Sequence, residues 1–174
     1  SSQVEVEPVA SVDPLRPIAH VRADSVEVGE HRVLSSLSVD AAQAIASTLL
    51  SAEAVSVARW ATDTAAAYAK IREQFGRPIG QFQAVADRLV EMRVRWETSR
   101  LLLYRFAWLK RESRAAPAEA AMTKLVVGEA WVRSCEDAMR IHGGYGYLTQ
   151  TGVERDLRDA LGSVGGAPAA MASA

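Results

Sequence analysis

The sequence predicts a mainly α protein, an antiparallel four-helix bundle preceded by the remnant of a β domain. Three observations carry this. Hydrophobic residues make up 49% of the chain but aromatic residues only 6%, so the interior is built from alanine, valine and leucine, which suits closely packed helices. From Val39 onward apolar residues recur at steps of three and four, the helical period. Before that point they alternate, as in "VEVEPV" and "IAHVRA", the period of a strand.

Gln3 to Leu34 reads as two or three short strands, "VEVEPV", "IAHVRA" and "SVEVGEHRVL", with "DP" and "RP" supplying turns. A sheet of that size is marginal alone, so either it packs on the helices or residues 1–37 are the end of a larger, middle β domain, and the second is expected. Ser38 or Asp40 is a good N-cap for the first helix. That helix is expected to run through to Phe75 with Ile45, Leu49, Ala52, Ser56 and Trp60 along its packed side, and at 1.5 Å per residue it would be about 50 Å long. Gly76 and Pro78 then mark a stop and a restart.

The second helix has the most regular pattern in the chain, Phe82, Val85, Leu89, Met92, Trp96, Ser99, Leu103 and Phe106. "SRAAPAEA" makes the next turn. A third helix is predicted from Ala118 to Ile141, with Met122, Leu125, Gly128, Val132, Cys135 and Met139 on one side and "GGYGY" ending it. A short fourth helix around "VERDLRDAL" completes a bundle domain over residues 38–161. Residues 162–174 have neither period and are expected to form a mobile tail.

Composition excludes several functions. The chain has 174 residues, enough for one domain with a core. Lys plus Arg number 20 against 21 Asp plus Glu, so no broad basic field exists for nucleic acid or an anionic membrane. Arg88, Arg93, Arg95, Arg100 and Arg105 interleave with Asp87, Glu91 and Glu97, the pattern of a solvated face rather than an RNA contact. No metal site is expected, since His20, His31 and His142 lack ligand spacing. Cys135 is the single cysteine, which excludes an internal disulfide and is expected to be buried. No apolar run approaches the ~20 residues of a membrane span, and no signal-peptide order begins the chain. The expected setting is the cytoplasm.

Two joints depart from the plain helical pattern. In "IREQFGRPIGQFQ" a guanidinium at Arg72 and a ring at Phe75 lie beside a chain reversal. That pair can hold a diphosphate bidentately and cover a planar group; equally, Arg72 can complement the dipole at a helix C-terminus. In "IHGGYGY" two glycines follow His142, which lets the backbone approach a flat ligand or another helix, and is equally a glycine cap with a half-buried histidine.

Together, "YAKIREQFGRPIGQFQA", "AMTKLVVGEAW", "IHGGYGY" and "VERDLRDA" resemble, in order, the carboxy-terminal helical domain of the acyl-CoA dehydrogenases. The resemblance runs from Val39 to Ala160. It implies a domain that forms a dimer interface and reaches into the neighbouring chain's FAD, with the arginine and aromatic holding its pyrophosphate and adenine end. The residues so implied are Arg72, Gln74, Phe75 and Gln83, with Gly143 and Gly144 approaching the dinucleotide. Arg140 stands where the family usually has a glutamine that contacts FAD.

Enzymes of this family use a carboxylate to remove the proton α to the thioester carbonyl while the flavin takes a hydride from the β carbon. The family's usual glutamate position falls here at about Ala167, and its alternative position on the first long helix at about Ala46. Neither residue can accept a proton, so no catalytic residue is expected in this chain. The resemblance then implies a non-catalytic subunit in a hetero-oligomer, a heterotetramer, with a homologous acyl-CoA dehydrogenase subunit. Heteromeric members acting on bulky steroid-derived CoA thioesters are built in this way, and the acyl-CoA would be bound mainly by the partner. Val90, Val94, Leu101 and Leu102 lie off the main seam of the second helix and suit burial against that second chain. Two alternatives stay open: an active dehydrogenase whose base is Glu53, and a helical scaffold without flavin.

Overall fold

The computed structural model describes residues 4–13, 16–114 and 117–165. Two strands open it. β1 (Val4–Val9) and β2 (Ile18–Ala23) pair antiparallel, with Val4 opposite Ala23 and Val9 opposite Ile18. Of the two or three strands expected, these two form. "SVEVGEHRVL" is irregular apart from one 3-10 turn at Glu30–Arg32, and every residue from 21 to 40 is exposed. An alternating sequence becomes a strand only where a neighbouring backbone completes its ladder, and none lies beside it.

Four helices follow: α1 (Val39–Ile71), α2 (Gln83–Arg111), α3 (Pro117–His142) and α4 (Val153–Gly165). Ser38 caps α1, its hydroxyl accepting from the Ala41 N–H at 3.2 Å. α1 stops at Ile71 rather than Phe75, because Glu73–Gln74 and Arg77–Pro78 leave the helix to pair as a small hairpin, β3 and β4. α4 continues to Gly165, so residues 162–165 are helical and not part of an irregular tail; the remainder of the expected tail, 166–174, lies outside the described residues.

Cross-contacts fix the directions. Tyr68 near the end of α1 stacks on His142 at the end of α3, so these two run parallel. Arg88 near the start of α2 reaches Asp137 near the end of α3, and Lys124 near the start of α3 reaches the Ser163 carbonyl near the end of α4 at 3.4 Å. Consecutive helices are therefore antiparallel.

α2 buries Met92, Trp96, Ser99, Leu103 and Phe106, the seam its sequence predicts. α1 does not use the expected face. Its buried stripe is Ala54, Ala58, Ala61, Ala65 and Ala69, whereas Ile45, Leu49 and Trp60 are 44%, 66% and 39% exposed. Alanine sets α1 close to its neighbours, since interaxial distance is set by the side chains at the contact. α3 likewise buries Val127, Trp131, Cys135, Ala138 and Met139 and leaves Met122 and Leu125 exposed. One expectation about membranes is corrected: α1 is long and apolar enough to cross one by length and composition, with its alanines counted among the apolar residues.

An ionic clamp fastens the loop between β1 and β2 to the bundle. Arg16 pairs with Asp159 of α4 at 2.6 Å and with Glu53 of α1, and fully buried Asp13 packs beside Gly162.

Candidate functional site

The joint between α1 and α2 is built from its backbone outward. Phe75 and Gly76 connect β3 to β4 with φ of +53° and +78°, the two consecutive positive values that a tight two-residue hairpin loop requires. Glycine takes this conformation freely; for an aromatic residue it costs about 1 kcal/mol or more. Phe75 adopts it while 93% exposed, so burial of its ring within this chain does not offset that cost. The ring stands edge-on to Phe82 at 6.2 Å, and the Arg77 guanidinium lies 4.1 Å over Phe82. Below them, a Cβ on Gly80 would sit 3.1 Å from the Ala69 carbonyl oxygen, so the reversal lies tight against α1.

Arg72 is held at both backbone groups. Its N–H donates to the Tyr68 carbonyl at 2.9 Å, and its own carbonyl accepts from the Ile79 N–H at 2.8 Å. The guanidinium lies 5.6 Å over the Tyr145 ring, and among the described residues it has no ion pair or hydrogen bond to a carboxylate.

The end of α3 makes the opposite wall. His142 is 5% exposed, its Nδ1 lies 2.8 Å from the Ala138 carbonyl oxygen, and its ring stacks on Tyr68 at 4.4 Å and 23°. Gly143 turns the chain with φ +58°, and a Cβ on either Gly143 or Gly144 would meet nothing within 4 Å. The backbone there is bare and open. Gly146 differs, since its Cβ would lie 2.9 Å from the Met139 carbonyl oxygen, and its role is to let the turn fold onto α3.

Between the walls lies a cavity of about 540 Å³ that brings together Arg72, Gln74, Gly143 and Gly144 with Tyr68, His142 and Tyr145. An adjoining one of about 410 Å³ shares Gln74, Ile79 and Ile141 with it and is lined further by Phe75, Phe82, Arg88 and Arg140. Six of the seven residues expected from sequence thus line one groove across the joint. The seventh, Gln83, opens α2, and its amide donates to Asp87 Oδ1 at 2.6 Å outside both cavities.

Arg140 lines the groove with its charge already engaged, bonding Asp137 Oδ1 at 3.0 Å and Glu136 Oε2 at 3.3 Å. Asp137 is buried and also receives Arg88 and Arg95, the latter at 2.6 Å. Burial pushes its carboxyl up, but the hydrogen bonds from Arg95, Arg88 and Arg140 outweigh that and hold it below the usual range.

Tyr68, Arg77, Phe82, His142 and Tyr145 were not among the expected site residues. Tyr68 carried a readable signal, since it lies one helical turn before Arg72 and so on the same face. Of the two positions for a base, Ala46 is exposed on α1 and Ala167 lies outside the described residues. Glu53 is bound to Arg16, nineteen residues before Arg72 and so about 28 Å away along α1.

The acyl-CoA dehydrogenase C-terminal domain family matches residues 43–164. The chain belongs to this family. A probable acyl-CoA dehydrogenase of Bacillus subtilis, YngJ, is 45% identical over 111 residues, 64% of this chain and 29% of that protein. The structure of PigA with FAD and proline superposes with a TM-score of 0.85 at 29% identity, covering 93% of this chain and 44% of that one. Butyryl-CoA dehydrogenase from Megasphaera elsdenii superposes with a TM-score of 0.83 at 25% identity, covering 93% and 44%. The chain spans less than half the length of each of these relatives. The groove holds a cationic side chain with no counterion among the described residues, bare glycine backbone and an exposed ring, the chemical complements of a diphosphate and a planar base.

Proposed function

We propose that this acyl-CoA dehydrogenase domain supplies the pyrophosphate- and adenine-facing half of a FAD site, which a homologous catalytic subunit completes in a hetero-oligomer, a heterotetramer. The observation that carries this reading is Arg72 opening on a cavity with no acidic residue among the described residues of its lining, so an incoming anion would supply its counter-charge. FAD, when bound, accepts the hydride leaving the β carbon of an acyl thioester. Arg72 grips the diphosphate, Gly143 and Gly144 let it approach the backbone, and Phe75 covers the planar end. With alanine at positions 46 and 167, the carboxylate that removes the α proton comes from the partner, which also binds most of the acyl-CoA. Val90, Val94 and Leu101 are 61%, 58% and 59% exposed on α2 and provide apolar surface for that partner. The relatives named above include a butyryl-CoA dehydrogenase, and the proposal extends to acyl thioesters as a class. A cytoplasmic setting suits the single, buried Cys135.

The test is purification of this chain alone and with a homologous candidate subunit, followed by flavin absorption and a dye-reduction assay with acyl-CoA. The expected result is flavin and turnover in the complex and no turnover by the chain alone. Turnover by the chain alone would place a base within it, and a complex without flavin would leave only the scaffold role.

A further inference from the structure

His142 stands apart from the other polar groups of the Arg72 cavity. The Ala138 carbonyl oxygen, 2.8 Å from its Nδ1, can only accept, so Nδ1 must carry the proton. In the neutral ring the other nitrogen, Nε2, is then an acceptor. Nε2 has no hydrogen-bond partner among the described residues, yet it is not one of the buried side-chain atoms left without a partner. It therefore keeps contact with open space, which for a residue only 5% exposed is the cavity it lines. The stack on Tyr68 and the bond to Ala138 together hold the ring in one orientation.

The rest of the cavity offers two side-chain donors suited to an anion, the Arg72 guanidinium and the Gln74 amide, and open backbone at Gly143 and Gly144 that a ligand can approach closely. A fixed acceptor among donors is wrong for a bare diphosphate, whose oxygens also accept. It suits a diphosphate that carries a hydroxyl next to it. We infer that His142 reads a sugar or polyol hydroxyl adjoining the diphosphate, with Nε2 accepting its proton, and so selects a diphosphate ester of a hydroxylated chain over inorganic pyrophosphate. This rests on the anion-binding role proposed for Arg72.

The test compares two probes on the chain at pH 8, ADP-ribose, which has a hydroxylated sugar on each side of its diphosphate, and inorganic pyrophosphate. His142→Phe keeps the ring stacked on Tyr68 but removes both nitrogens. It should weaken ADP-ribose about three- to tenfold, the usual worth of one such hydrogen bond, and leave pyrophosphate unchanged. In the wild-type chain, ¹⁵N NMR should show the Nδ1–H tautomer before ligand is added and a shift of the Nε2 resonance with ADP-ribose but not with pyrophosphate. That measurement needs no variant and holds if His142→Phe folds poorly. Equal losses for both probes, or a proton found on Nε2, would overturn the inference while Arg72-dependent pyrophosphate binding still supports the flavin-site reading. If neither probe binds to the chain or to its complex with the homologous subunit, or if Arg72→Ala changes nothing, both fail.

Discussion

Two groups of arginines lie near the end of α3, and they are built in opposite ways. On one side Arg88, Arg95 and Arg140 close on the buried carboxylate of Asp137. On the other, Arg72 and Arg77 lie over the rings of Tyr145 and Phe82 at 5.6 and 4.1 Å, with no carboxylate among the described residues to receive them. The first arrangement is a strut, since each guanidinium is spent on a partner within the chain. The second leaves the N–H edges free, because a ring attracts the face of a guanidinium without using its donors. Arginine alone therefore does not mark a phosphate site. What the proposed phosphate site needs is a guanidinium held in place without a counterion among the described residues, which Arg72 provides and Arg140 does not.

The sharpest way to break this contrast is to remove the strut's centre. Asp137→Ala strands three guanidiniums, of which Arg95 is the most buried, its side chain 22% exposed against 39% for Arg88 and 57% for Arg140. Arg88 and Arg140 can turn to water, so the loss falls mainly on Arg95 and is expected at about 3 kcal/mol, the lower end for breaking a buried pair. Urea unfolding should show it as a lowered midpoint with an unchanged slope. A loss below about 1 kcal/mol would mean that the cluster behaves as an ordinary surface pair.

Arg72→Ala should do the reverse. Losing a charge-assisted contact to phosphate costs about 1.5–3 kcal/mol, so FAD retention by the assembled complex should fall roughly ten- to a hundredfold. Stability should change by only about 0.3–1 kcal/mol, the worth of a cation at a helix C-terminus. Flavin-to-protein ratio and melting temperature, measured side by side, decide it. Normal flavin with a lowered melting temperature would make Arg72 a helix cap.

Phe75→Gly sharpens the comparison further, because here function and stability are expected to move in opposite directions. Its ring is 93% exposed, so little burial is lost, while glycine relieves the left-handed backbone. The variant should be about as stable as wild type or up to about 1 kcal/mol more so, the gain being offset by the freedom glycine has when unfolded, and it should retain less flavin. Clear destabilisation would show that the ring is a packing element of the joint.

The sequence made α2 legible because its large apolar residues and its buried face coincide. On α1 they do not. Ile45, Leu49 and Trp60 draw the eye, yet the stripe from Ala54 to Ala69 does the packing, and periodicity cannot rank two faces when small residues suit close approach. The sequence left two or three strands open because alternation records a pattern, not the neighbour that completes a ladder. At the site, Arg72, Gln74 and the glycine pair were legible as motifs. The pairing of Arg140 with Asp137 was legible only as i, i+3 spacing among many similar pairs, and the stack of Tyr68 on His142 joins residues 74 apart in the chain, which no local pattern reveals.

The smallest expected effect sets the Asp137 strut against the Arg16 clamp, whose carboxylates titrate with the opposite sign. Asp137 is held below the ordinary 3.8 of an aspartate, since bonds from Arg95, Arg88 and Arg140 outweigh its burial. Its contribution to stability is complete above 3.8 and is lost as the pH falls through the lowered value. Asp159 is raised above 3.8, first by burial and further by the neighbouring Asp13, which together outweigh its bond to Arg16. Among the described residues, Arg16, Asp13, Glu53 and Asp156 are charged groups around it. Its folded form binds a proton more tightly than its unfolded form, so its contribution is complete below 3.8 and declines as the pH rises through the raised value. Urea midpoints of wild type, Asp137→Asn and Asp159→Asn across pH 2.5–6 separate the two. The difference between wild type and Asp137→Asn should grow with rising pH, within the window below 3.8, whereas the difference between wild type and Asp159→Asn should change in the opposite direction above it. Parallel curves for all three proteins would show that neither carboxylate is linked to folding, and the distinction between a strut of arginines around one acid and a clamp of acids around one arginine would lose its thermodynamic content.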